Sequence, residues 1–193
     1  MQTGQTGGSV GANQKGGKTV LREIVMGLHW DPPRAGDNAP PADLDALCIL
    51  HGRCGEIVDV ISPDHPRTDN DSVVHTGNSR DGSSSWDDER IFVFLDALPP
   101  LISALTFVVR DTRDRGFAEL QGAFCHLSDR ITERELTRLA LRPLATDSTQ
   151  AIATIERSPT GWVLDTRRLD LQSDFHEQLR DLLAQSRTAN PRR

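Results

Sequence analysis

At 193 residues and 36% hydrophobic content, the chain is long enough for one sizeable core, and no second composition regime inside it calls for a second domain. Its formal charge of −6, from 28 acidic and 22 basic residues, argues against general nucleic-acid binding, which needs a basic stripe for the phosphates. The acidity is local: residues 31 to 96 carry 14 acidic and 5 basic side chains, net −9, against +3 for the rest.

Taken in order, residues 1–14 are rich in Gly, Gln, Thr and Ser and have too little apolar surface to offset the entropy of ordering, so they are expected to be a disordered lead. From Lys15 the chain reads as short strands. These are Val20 to Met26, Leu47 to Leu50, Ile57 to Ile61, Ser72 to His75, Ile91 to Asp96, Leu105 to Arg110, Phe117 to Leu127, Ala151 to Glu156 and Trp162 to Thr166. Clusters of Pro, Gly, Asn and Asp separate them, as at Pro32-Pro33, Gly77 to Ser85 and Ser158 to Gly161. Thr132 to Leu141 fits two patterns. Thr132-Glu133-Arg134-Glu135 can open a helix as a capping box, whereas Leu136, Leu139 and Leu141 can equally lie in a strand. The clearest helix is Ser173 to Gln185, where Ser173 can cap the N-terminus and Phe175, Leu179, Leu182 and Leu183 share one face. Regularly spaced strands without alternating long helices predict a mainly β fold, a β-sandwich of two antiparallel sheets with a short C-terminal helix. The domain is expected over 15–187, with 188–193 a frayed tail.

The longest apolar runs are too short to cross a bilayer and no secretory segment opens the chain, so a cytoplasmic location is expected. Three cysteines, Cys48, Cys54 and Cys125, leave an odd thiol under any pairing, which fits reduced structural thiols. They lack zinc-site spacings. Gly11 to Thr19 ends in Gly-Lys-Thr, but Ala12 stands where a phosphate loop needs its first glycine, and no strand precedes it. Asp69-Asn70-Asp71 and Asp111 to Gly116 do not continue into an EF-hand. No His-Glu-x-x-His run or Gly-x-Ser-x-Gly elbow is present.

The carboxylates remain. Calcium takes about 6 to 8 oxygen ligands and tolerates irregular geometry, so loops at one end of a sandwich can hold it. In Asp43-Leu44-Asp45 an extended backbone turns both carboxylates to one side. Asp87-Asp88-Glu89 leads straight into a strand, while Gly77 and Gly82 let the preceding loop fold back over an ion. Solvated acids making turns and caps are the plain alternative.

These residues resemble the TerD family of tellurium-resistance and bacterial stress proteins. Lys15-Gly16-Gly17-Lys18-Thr19-Val20-Leu21 is similar to the family's opening strand, Gly27-Leu28-His29-Trp30-Asp31 to its Gly-Leu-Gly-Trp-Asp, and Asp43-Leu44-Asp45-Ala46 to its Asp-Leu-Asp-Ala. Ser72 to Gly77 followed by Asp87-Asp88-Glu89 keeps the spacing of its long acidic loop. The resemblance implies a non-catalytic β-sandwich that binds calcium in adjacent acidic loops. It places Asp31, Asp43, Asp45, Asp87, Asp88 and Glu89 on family acidic positions and Asp64 near the family's paired asparagines. Asn78 stands where the family has an aspartate and Ser83-Ser84-Ser85-Trp86 replaces a Gly-rich acidic stretch, so two carboxylates are missing. Asn78 still offers a carbonyl oxygen. One calcium site is expected and a second is left open. Expected partners are proteins of the tellurium-resistance or stress system, or a membrane face. The alternative from another class is a metal-dependent hydrolase using the same acids with His75 or Arg80 assisting.

Overall fold

The computed structural model describes residues 20–34, 36, 40–113, 115–117, 120–141 and 148–166, together with Leu179, Asp181 and Leu183. Ten strands run in chain order: β1 Glu23–His29, β2 Leu44–His51, β3 Ile57–Ile61, β4 Val73–Gly77, β5 Glu89–Phe94, β6 Ala104–Asp111, β7 Phe124–Asp129, β8 Arg134–Ala140, β9 Thr149–Ser158 and β10 Gly161–Asp165. They form two five-stranded sheets, ordered β4-β5-β1-β7-β8 and β10-β9-β6-β2-β3. Neighbouring strands pair antiparallel throughout. The expected sandwich of two antiparallel sheets is what the chain builds.

Alternation places the core between the sheets. Ile24, Met26, Leu28 and Trp30 of the first sheet are buried in one cluster with Leu44, Ala46, Cys48 and Phe107 of the second. Period-two patterning sends every other residue inward, and each fully buried large aliphatic side chain is worth about 1.5–3 kcal/mol. Cys48 and Cys125 belong to this core, where burial pushes both thiols up from their ordinary range. Cys54, expected with the others as a structural thiol, is instead exposed in the turn between β2 and β3.

Several boundaries differ from expectation for identifiable reasons. Leu21 bridges to Trp162 of the other sheet, so β1 begins only at Glu23. Phe117 is buried in the loop before β7, so an apolar residue there did not mark a strand. Leu95–Ala97 forms a 3-10 turn that ends β5 early. Over 132–141 the strand reading holds: Asp129 Oδ1 accepts the Ile131 and Thr132 N–H groups, Glu133 takes a left-handed φ of 56°, and the chain turns directly into β8. A side chain that satisfies those N–H groups from the preceding strand makes a hairpin, and the capping-box reading fails. The helix expected over Ser173 to Gln185 is not seen as an element and lies outside the described residues apart from three. Of those, Leu179 and Leu183 bury against Leu47, Ile49, Val60 and Val108 of the second sheet. The expected lead 1–14 and tail 188–193 also lie outside the described residues.

Gly77 closes β4 with φ +87°, and a Cβ there would sit 2.7 Å from the Asp88 carbonyl oxygen. The left-handed conformation and a backbone collision act together, so Gly77→Ala is expected to cost about 2 kcal/mol or more in chemical denaturation. An unchanged denaturation midpoint would contradict this packing of β4 on β5.

Candidate functional site

The acidic residues come together where β1 and β4 end and β2 and β5 begin. Register sets this meeting, since Glu89 of β5 stands opposite Leu28 of β1 on one side and Gly77 of β4 on the other. Its side chain crosses to the second sheet, where Oε2 accepts the Ala46 N–H of β2 at 2.6 Å. His75 Nε2 lies 3.2 Å from the same oxygen. The other oxygen, Glu89 Oε1, is buried and has no hydrogen-bond partner among the described residues.

Burial pushes the Glu89 carboxyl up to about 9, the Ala46 N–H works against this, and the nearby Asp43 and Asp88 charges add to it. Burial likewise raises Asp45 to about 7, reinforced by Glu89, opposed by Arg110, and reinforced again by Asp43 and Asp64. Burial lowers His75 to about 4 despite the Asp45 charge. A neutral imidazole against a protonated carboxyl is a hydrogen bond, not an ion pair, although the atoms lie within ion-pair distance. Ionising Asp45 is thus opposed by Glu89, Asp43 and Asp64, and ionising Glu89 by Asp43 and Asp88, each on top of the cost of burial.

Local structure fixes these acids. Asp43 is held by its carbonyl, which accepts from Thr112 N at 2.9 Å and Thr112 Oγ1 at 3.0 Å. Asp45 lies in β2 opposite Arg110 of β6. Asp64 stands in a tight turn closed by reciprocal backbone hydrogen bonds between Ser62 and His65, at 3.0 and 3.1 Å.

Asp87 and Asp88 are differently engaged. Asp88 Oδ2 accepts the Trp30 N–H at 3.1 Å and lies 3.1 Å from His29 Nδ1, and its Oδ1 accepts the Ser84 N–H at 3.2 Å. Asp87 Oδ1 meets His126 Nε2 at 3.1 Å and its Oδ2 meets Arg90 Nε at 2.9 Å. Burial works against the Asp87 charge, but the hydrogen bonds from His126 and Arg90 win and hold its carboxyl below the usual range. Asp31 is exposed and faces His29 Nε2 at 3.5 Å. Asn78 is exposed just beyond β4. Asp111, from the rejected EF-hand stretch, ends β6, and its carboxylate accepts the Arg113 and Arg115 N–H groups of the turn that follows.

The eight acidic-loop residues therefore divide. Asp45 and Glu89 are buried and feel the charges of Asp43 and, for Asp45, of Asp64, Asp87 and Asp88 are committed to imidazoles, Arg90 and backbone N–H groups, and Asp31 and Asn78 are exposed. Among the described residues, no three His, Cys, Asp or Glu side chains stand together in a geometry that would itself hold a metal ion. The sequence offers His75 only as an assistant in the hydrolase alternative and gives no sign that His29 and His126 partner acids. The carboxylates come from the start of β5 and the loop before it, and only the sheet register brings them to these imidazoles.

A two-sheet antiparallel sandwich with its acids gathered at one loop end defines a class of protein that comparison with known chains narrows. The TerD domain model matches residues 6–180. The chain is 31% identical over 152 residues to the tellurium resistance protein TerZ of Serratia marcescens, spanning 75% of this chain and 78% of that one. It is 32% identical over 128 residues to general stress protein 16U of Bacillus subtilis, spanning 63% of this chain and 66% of that one. A Streptomyces coelicolor structure, described as a homologue of the telluride resistance protein TerD, superposes with a TM-score of 0.67 at 22% identity, covering 80% of this chain and 94% of that one. The chain belongs to the TerD domain family.

Proposed function

We propose that this chain is a calcium-binding stress-response module of the tellurium-resistance type, cytoplasmic and non-catalytic, whose acidic loop end is ordered by one cation. The observation that carries this reading is the buried Glu89 Oε1, unpartnered among the described residues, on a carboxyl coupled to Asp43 and Asp88 and to the buried Asp45. Buried polar atoms are almost always satisfied, and an acceptor orphaned among like charges fits a hard cation better than a further carboxylate or apolar neighbour. The names of the relatives, tellurium resistance and general stress proteins, support the biological setting.

In this reading Asp43, Asp45, Asp64 and Glu89 hold the ion, while Ala46 and His75 steady the Glu89 oxygen that faces away from it. The cation neutralises the converging carboxylates. A second ion would draw on Asp31, Asn78, Asp87 and Asp88, and must displace His29 and His126 from the last two. The ordered loop end is the surface offered to a protein partner of the stress system or to a membrane face. Titration calorimetry of chelator-stripped protein with calcium is expected to give saturable binding near one ion per chain. Absence of heat and of retained calcium by elemental analysis would overturn the proposal.

A further inference from the structure

We propose that the cleft beside Trp86 binds an organic oxyanion, a carboxylate or phosphate carried next to a flat ring. The cleft has a volume of about 540 Å³ and is lined by Thr76, Gly77, Trp86, Asp87, Asp88 and Arg90. This is within the range of small-ligand sites, roughly 300–1,000 Å³. It lies beside the converging acids, and the inference does not require a cation there.

Two carboxylates in the lining suggest a cationic ligand, but both are already engaged, Asp88 by the Trp30 and Ser84 N–H groups and Asp87 by His126 and Arg90. The Asp88 side chain is 0% exposed and that of Asp87 16%, whereas that of Arg90 is 40% exposed. An incoming ligand meets the guanidinium. Only Arg90 Nε is occupied, by Asp87, and the two terminal amino groups have no hydrogen-bond partner among the described residues. The Thr76 hydroxyl has none either. A planar fork with free donors matches the paired oxygens of a carboxylate or phosphate. Trp86, also in the lining and 76% exposed, presents an indole to solvent, a surface on which flat rings stack.

The Arg90 side chain is pinned from behind. Ser128 Oγ lies 3.1 Å from His126 Nδ1, His126 Nε2 lies 3.1 Å from Asp87 Oδ1, and Asp87 Oδ2 holds Arg90 at 2.9 Å. Gly27 lies beneath this relay, and a Cβ there would fall 2.3 Å from His126 Nε2 and 2.6 Å from Asp87 Oδ2. Trp86 is anchored through its backbone, its N–H donating to Ser84 Oγ at 3.2 Å and its carbonyl lying 3.1 Å from His29 Nδ1. A guanidinium held this way loses little freedom on binding.

The test uses the full chain in chelator, so that failure of the calcium reading leaves it unaffected. Trp30 and Trp162 are buried, so ligand quenching of indole fluorescence reads Trp86. Adenosine monophosphate and para-nitrobenzoate are the two probes, with adenosine and inorganic phosphate as ring-only and oxyanion-only controls. At least one probe is expected to saturate, with each control at least about tenfold weaker. Saturation by the nucleotide alone assigns the phosphate source, and by the benzoate alone the carboxylate source. Arg90→Gln is expected to weaken binding about tenfold or more, as is Arg90→Lys, which keeps the charge but loses the fork. His126→Ala, which touches no ligand, is expected to weaken it several-fold by unpinning Asp87. Melting curves of the variants separate lost binding from lost fold. The proposal is overturned by absence of saturation with either probe, by controls that bind as well as the probes, or by a folded Arg90→Gln variant that binds like the parent.

Discussion

Calcium added to chelator-stripped protein is expected to raise its melting temperature by about 5 to 10 °C. A ligand that binds only the folded state stabilises it by RT ln(1 + [L]/Kd), about 2.7 kcal/mol at a hundredfold excess over Kd. A domain of this size gains about 2–4 °C per kcal/mol. The variants give the result its sign. Glu89→Gln keeps a carbonyl for the Ala46 N–H and removes the cost of holding, on a carboxyl that burial pushes up to about 9, a proton that the unfolded chain releases. In chelator at pH 8 it should melt no lower than the parent, yet lose most of the calcium shift.

Asp45→Asn should likewise lose the shift. Asp96→Asn should keep it, because that carboxylate makes only an exposed contact with Arg22 at the far end of β5. Loss of binding without loss of stability separates a ligand from a scaffold residue. A parent protein that melts identically with calcium and with chelator would remove the cation from the account. So would a Glu89→Gln variant with the full shift.

Sheet architecture was legible in the chain because apolar runs of strand length alternate with Pro, Gly and Asp breaks, and β3 appears at the residues expected, Ile57–Ile61. The misplaced ends share a cause. Leu21 and Phe117 are apolar and buried, as a strand residue would be, but one bridges to the opposite sheet and the other fills the core from a loop. Burial is visible in composition, but its partner is not. The same limit held at the acids. Asp43-Leu44-Asp45 and Asp87-Asp88-Glu89 stand out as clusters, but nothing local separates Glu89, aimed into the interior, from Asp87 and Asp88, taken up by His126 and His29. Those imidazoles arrive from β7 and β1, so the distinction is a property of pairing register. Residue 29 is glycine in the family pattern, and the histidine here gives Asp88 a partner that pattern does not supply.

The buried carboxyls also fix how stability should respond to pH. Glu89 titrates at about 9 when folded, against an ordinary 4.5, and Asp45 at about 7 against 3.8. A raised carboxyl favours the folded state fully below its unfolded value, and that contribution is lost as pH rises through the folded value. His75, lowered from 6.5 to about 4, acts oppositely, and its contribution is lost as pH falls through that window. Below pH 6.5 one histidine therefore opposes two acids. Between pH 7 and 9 only Glu89 still holds a proton that the unfolded chain lacks. Chelated protein should lose about 2 kcal/mol across that span, roughly 5 °C in melting temperature. Glu89→Gln should flatten the slope, since an amide has no proton to give up. Calcium needs the ionised carboxylates, so its stabilising increment should grow over the same range and offset the decline. The decisive measurement is a set of melting curves at pH 7, 8 and 9, with chelator and with calcium, for parent and variant. A chelated parent that is flat or rising from pH 7 to 9, or a decline that survives Glu89→Gln, would show that Glu89 does not hold the proton assigned to it, and a calcium increment that does not grow over that range would show that ion binding is not tied to its ionisation.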